Sequence, residues 1–198
     1  MEEHDLSPAA QAVVDHLSRC FPPGEVVIEA PVPGPVHQLV PHLHIARIQP
    51  DPTARSWLYV TASLWPATQR EGHGLDFALF APAQSSWHVE TLTTVAYYHA
   101  TGGTYALGHG HTVAIGQPWL PGSTCDYLLV SLPYPWGQGF EICPVPGGHT
   151  RLLWLLPITA DEKAYRHEHG LEALEQRLEA AGIAFLDPGR PSTVPPRH

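Results

Sequence analysis

Positive charge is scarce in this sequence. Of its 198 residues only 10 are Lys or Arg, against 19 Asp or Glu, which leaves −9 with the 14 histidines neutral. Such a chain repels phosphate backbones and anionic membranes on average, so neither is an expected partner and a basic protein is. Charge of either sign is limited to 15% of residues while hydrophobic residues reach 43%, which excludes a disordered polyelectrolyte and a long charged coiled coil. Cysteine is confined to Cys20, Cys125 and Cys143, with no CxxC pair, and an odd, scattered set predicts a reducing interior rather than a disulfide framework. No apolar run approaches the roughly 18 residues of a membrane span. Met1 to Asp5 lack the basic start and apolar stretch of an export signal. The expectation is a soluble cytoplasmic protein.

Signatures of covalent or phosphate chemistry are missing as well. There is no Gly-x-Ser-x-Gly elbow, no P-loop lysine and no HExxH. Lys163 is the single lysine and falls on the expected solvent face of a helix, which argues against a Schiff base. Cys125, entering an apolar strand, reads as a small core residue rather than a nucleophile.

The elements present predict an α+β fold, with a mainly antiparallel central sheet flanked by helices. Ser7 as N-cap and Pro8 at the first helical position open a helix to Cys20, with Leu6, Ala10, Val13, Leu17 and Phe21 on one face. Val26–Ala30 reads as a short strand, and the four prolines of Pro31–Pro41 as an extended or edge segment. His42–Gln49, Ser56–Leu64 and Leu75–Ala81 are strand-like, separated by turns at Pro50–Asp51–Pro52 and Glu71–Gly74. Alternation of Leu58, Val60 and Ala62 with Tyr59, Thr61 and Ser63 predicts a half-buried strand. Ser86–Ala100 fits a helix ended by Gly102–Gly103. Val113–Ile115, Asp126–Leu132, Phe140–Cys143 and Leu152–Leu156 fit strands. Thr159-Ala160-Asp161-Glu162 is a capping box. After Gly170 a second helix presents Leu171, Leu174, Leu178 and Ala181 on its apolar side. One domain over residues 1–186, followed by a flexible Pro-rich tail at 187–198, is the expected organisation.

Two sets of residues are candidate sites. His42/His44 and His109/His111 each place two imidazoles on one side of an extended chain, room for two metal ligands with a third from His99, Asp126 or His149; scattered surface histidine is the plainer reading. Asp161, Glu162, Glu168, Glu172, Glu175 and Glu179 form an acidic helix surface, either merely solvated or a docking face for a basic partner. Trp154 reads as core, and Trp65, Trp119 and Trp136 as loop aromatics that either anchor an interface or cover a core edge.

The C-terminal third resembles the Suppressor of fused family. The residues that carry this are Leu152 to Thr159, Asp161-Glu162, Tyr165 and Gly170 to Leu174, with Gly182-Ile183, Leu186-Asp187-Pro188 and Arg190-Pro191-Ser192 similar at the end. Gly74 to Leu79, a helix led by Trp87, and Gly110 to Val113 fit the same layout, so the resemblance spans roughly residues 40–192 and leaves out the divergent first forty. It implies a non-catalytic protein-binding domain without cofactor. Animal members hold a transcription factor in the cytoplasm, and bacterial relatives resemble immunity proteins that neutralise a polymorphic toxin. No catalytic or binding residue carries over from the family. The first reading is therefore an immunity protein with a basic toxin domain as partner, bound through Asp161, Glu168, Glu172, Glu175 and Glu179. The second is a regulatory domain with an endogenous partner. The third is a metal-dependent enzyme built on the histidine pairs.

Overall fold

The computed structural model describes residues 6–22, 24–49, 56–69 and 73–195. In chain order the elements are α1 (Pro8–Cys20), β1 (Val27–Glu29), α2 (Val36–Leu39), β2 (His44–Ile48), β3 (Trp57–Ala62), α3 (Leu64–Thr68), β4 (His73–Ala81), α4 (Ser86–Thr101), β5 (Thr112–Ala114), β6 (Cys125–Ser131), α5 (Gly137–Glu141), β7 (Ile142–Val145), β8 (Gly148–Thr159), α6 (Ala160–His169) and α7 (Leu171–Ala180). The chain forms two compact units. The first is Met1–Gly108 with Leu132–Trp154, and the second is His109–Ser131 with Leu155–His198, so β8 runs from one into the other.

In the first unit the strand order is β1-β2-β3-β4-β8, with β7 hydrogen-bonded to β8 off that path. Neighbours pair antiparallel except β4 with β8, which run parallel with Phe77 opposite Leu153. The sheet is thus mainly antiparallel, as the sequence predicts, with one parallel seam that it did not announce. The Ser7 hydroxyl accepts the Ala10 N–H and caps α1, and Ala10, Val13, Leu17 and Phe21 are buried. Both α1 and α4 pack on β3, so Leu58, Tyr59, Val60, Thr61 and Ala62 are all fully buried. The predicted half-exposed strand is a central one, because both its faces are covered. Phe80 stacks on Trp136 at 3.6 Å and meets Trp154 edge-on, so Trp136 covers a core edge rather than standing free.

Three local expectations give way. Within Pro31–Pro41 the chain takes a helical turn at α2, which tolerates Pro35 because a proline at a helix start loses only an N–H that would lack a partner anyway. Phe140 and Glu141 lie on the short helix α5 rather than on a strand, which starts at Ile142. His73 and Gly74 already belong to β4, so the turn predicted through Gly74 ends earlier; Pro50–Asp51–Pro52 and Glu71–Gly72 lie outside the described residues. Gly74 has a steric reason to be glycine, since a Cβ there would sit 2.0 Å from the Trp65 ring.

In the second unit β5 pairs antiparallel with β6, β6 neighbours β8, and α6 packs on β6 and on α7. Leu174 and Leu178 of α7 are buried, whereas Ala181, expected on the same stripe, lies past the helix end and is exposed. The loop before β5 is pinned to β6: the Gly110 N–H donates to the Val130 carbonyl at 2.7 Å and the Val130 N–H to that of His111 at 2.8 Å. Gly110 has φ +87°, and a Cβ there would press on Leu171, so this loop needs its glycine twice over. Within the Pro-rich segment 187–198, Arg190 and Val194 are buried, 4% and 5% exposed. Residues 196–198 lie outside the described residues.

Candidate partner-binding surface

The acidic residues nominated from sequence are brought together on α6 and α7 of the second unit, in two different roles. Thr159 caps α6, its hydroxyl accepting the Glu162 N–H at 3.2 Å while the Glu162 carboxylate accepts the Thr159 N–H at 2.9 Å. Glu162 is therefore turned inward and fully buried, not part of a solvated face. Its carboxylate also takes a bidentate Arg190 guanidinium, Nη1 to Oε1 at 2.9 Å and Nη2 to Oε2 at 2.7 Å, together with the N–H and hydroxyl of Thr193. Arg190 Nη2 donates as well to the Pro157 carbonyl at 2.8 Å. Burial acts to raise this carboxyl, but Arg190 and the N–H groups of Thr159 and Thr193 more than offset it and hold it below the usual carboxylate range. This ion pair fastens residues 190–194 onto the start of α6. Reciprocal capping at the third helical position is the sequence sign that Glu162 faces inward; nothing local identifies a partner 28 residues downstream.

The remaining five carboxylates lie outside this cluster. Glu168, Glu172 and Glu179 are exposed and Asp161 is half-buried. Glu175 is less available than its helical position suggests. Its Oε1 lies 3.3 Å from His109 Nε2 and accepts the Ser131 hydroxyl at 3.3 Å, which ties α7 to the loop before β5 and to the end of β6. Glu168 Oε2 lies 3.9 Å from His169 Nε2. Lys163 leans over the Tyr127 ring at 5.6 Å, and Arg177 over Tyr165 at 4.7 Å.

Among the described residues, no group of three or more His, Cys, Asp or Glu could hold a metal ion. His44 Nδ1 is 2.9 Å from the His42 carbonyl, and His99 Nδ1 accepts the Leu107 N–H at 3.0 Å. Cys125 is buried, and burial raises its thiol above the ordinary value.

The first unit holds a polar centre that sequence reading missed. Asp76 is fully buried on β4. Its Oδ1 accepts the Thr61 hydroxyl at 2.8 Å and the Leu64 N–H at 3.3 Å, and its Oδ2 accepts the Thr150 hydroxyl at 2.9 Å. It thereby secures the sharp entry to α3, where Ser63 has φ +83°. Burial pushes this carboxyl up to about 7, against the pull of those donors. A cleft of 260 Å³ in the same unit is lined by Ala67, Thr68, Gln69, Leu75, His99, Ala100, Gly102, Ala106 and Leu107, with no Asp, Glu, Lys or Arg among them. Among the described residues of this unit, none assemble a nucleophile, base and oxyanion site.

The described residues thus give a mixed sheet with helices on it and an acidic helical surface, and no convergent catalytic constellation is found among them. The comparisons give the family. The model of the Suppressor of fused protein (SUFU) matches residues 40–191, and the chain belongs to this family. A SUFU homologue from Neisseria gonorrhoeae is 30% identical, with a TM-score of 0.83 over 96% of this chain and 98% of the other. Drosophila Suppressor of Fused matches at TM-score 0.70 and 16% identity, over 94% of this chain and 51% of that one. The Sufu protein crystallised as a Sufu–Fu complex matches at 0.64 and 16%, over 87% and 84%. The last two likenesses bear on the fold alone. No protein of curated function matches the sequence. Among the described residues, no helix is long and apolar enough to cross a membrane.

Proposed function

We propose that this chain is a non-catalytic protein-binding domain that acts in the cytoplasm as an immunity protein, capturing and neutralising a basic toxin domain. Family membership over residues 40–191 is the observation that carries the binding role, and a protein of this fold has been solved in complex with Fu. The net charge of −9 supports a basic partner, because complementary charge speeds encounter and suppresses like-charged competitors. The proposed contact surface is the α6–α7 face: Asp161, Glu168, Glu172 and Glu179, with Glu175 contributing through its link to His109. The Glu162–Arg190 clamp would give that face a fixed backbone, and residues 1–186 together with the strap at 190–194 would act as one domain. No cofactor is required.

Co-expression tests the proposal. The proposal predicts a toxin gene beside this one, whose product, made in a host that lacks its own protection, is expected to kill alone and to be tolerated with this chain, the two co-purifying. A host that dies equally with and without the chain removes the immunity reading and leaves a regulatory domain with an endogenous partner.

A further inference from the structure

We draw no further inference here: the strongest candidate, the exposed aromatic patch that Tyr97 and Tyr98 of α4 form with Tyr105 beside the cleft of the first unit, carries nothing because nothing in the structure shows what covers it.

Discussion

Removing the Arg190 guanidinium is expected to be among the most damaging single changes in the second unit. Arg190→Met keeps much of the side-chain volume but withdraws two charge-assisted hydrogen bonds from Glu162, at 2.9 and 2.7 Å, and one from the Pro157 carbonyl. The Glu162 carboxylate stays fully buried, with only Thr159 and Thr193 left as the donors described for it. Breaking a buried ion pair from one side costs about 3–5 kcal/mol, since an uncompensated charge is left behind. At this chain length such a loss lowers the thermal midpoint by roughly 10 °C. Glu162→Gln/Arg190→Met leaves no buried charge and retains one amide oxygen for the Thr159 or Thr193 N–H, so it should recover about half of the loss. Urea unfolding read by Trp119, the one tryptophan of the second unit, would follow both variants. The pH dependence separates the electrostatic account from simple packing. Glu162 is held below its unfolded value, so its contribution is present above the unfolded carboxyl pKa of about 4.3 and is lost as pH falls through the lower folded value. That acid-side loss should vanish in the double variant. An Arg190→Met protein within about 1 kcal/mol of wild type, or an acid limb unchanged in the double variant, would refute the reasoning.

Asp76 should act with the opposite sign. Its folded value of about 7 lies above the unfolded one, so the native state binds the extra proton between the two, and this group favours folding as pH falls from 7 towards 4. Asp76→Asn should flatten that slope at little cost, whereas Asp76→Leu, which strands the Thr61 and Thr150 hydroxyls and the Leu64 N–H, should destabilise by about 2–4 kcal/mol; chemical denaturation at pH 5 and pH 7.5 decides both. Gly74→Ala should cost about 1–3 kcal/mol, because its Cβ would overlap the Trp65 ring at 2.0 Å; a melting point equal to wild type would mean the ring moves aside freely.

What the sequence disclosed was mostly local. Ser7–Pro8 and the Thr159–Glu162 box specify helix starts by short-range hydrogen bonds, and each start falls where those residues place it. Elements whose fate depends on distant packing were misjudged. The alternation in Leu58–Ser63 describes a strand with one wet face, yet α1 and α4 both cover β3 and bury even Tyr59 and Thr61. Asp76 interrupts an apolar run, and only the approach of Thr61 from β3 and Thr150 from β8 makes it a core residue. Glu162 looked like one more glutamate of an acidic helix, because its partner Arg190 stands beyond a whole further helix. The acidic face itself was legible as helix surface, but the link from Glu175 to His109 and Ser131 required the fold of the second unit.

The central proposal, capture of a basic partner through α6–α7, is tested most directly by association kinetics with the toxin domain that the co-expression experiment identifies. The comparison is wild type against Glu172→Lys/Glu175→Lys/Glu179→Lys, across a salt series at pH 7.5. None of these three residues is fully buried and the stripe of Leu174 and Leu178 is untouched, so the fold should persist, with the loss of the Glu175–His109 link as its one structural cost. Charge-steered encounter predicts an association rate that falls severalfold in the variant at low salt, converges on wild type as salt rises, and leaves dissociation less affected. An association rate unchanged by the reversal, or insensitive to salt in the wild type, would contradict the account and return these glutamates to ordinary solvated helix surface.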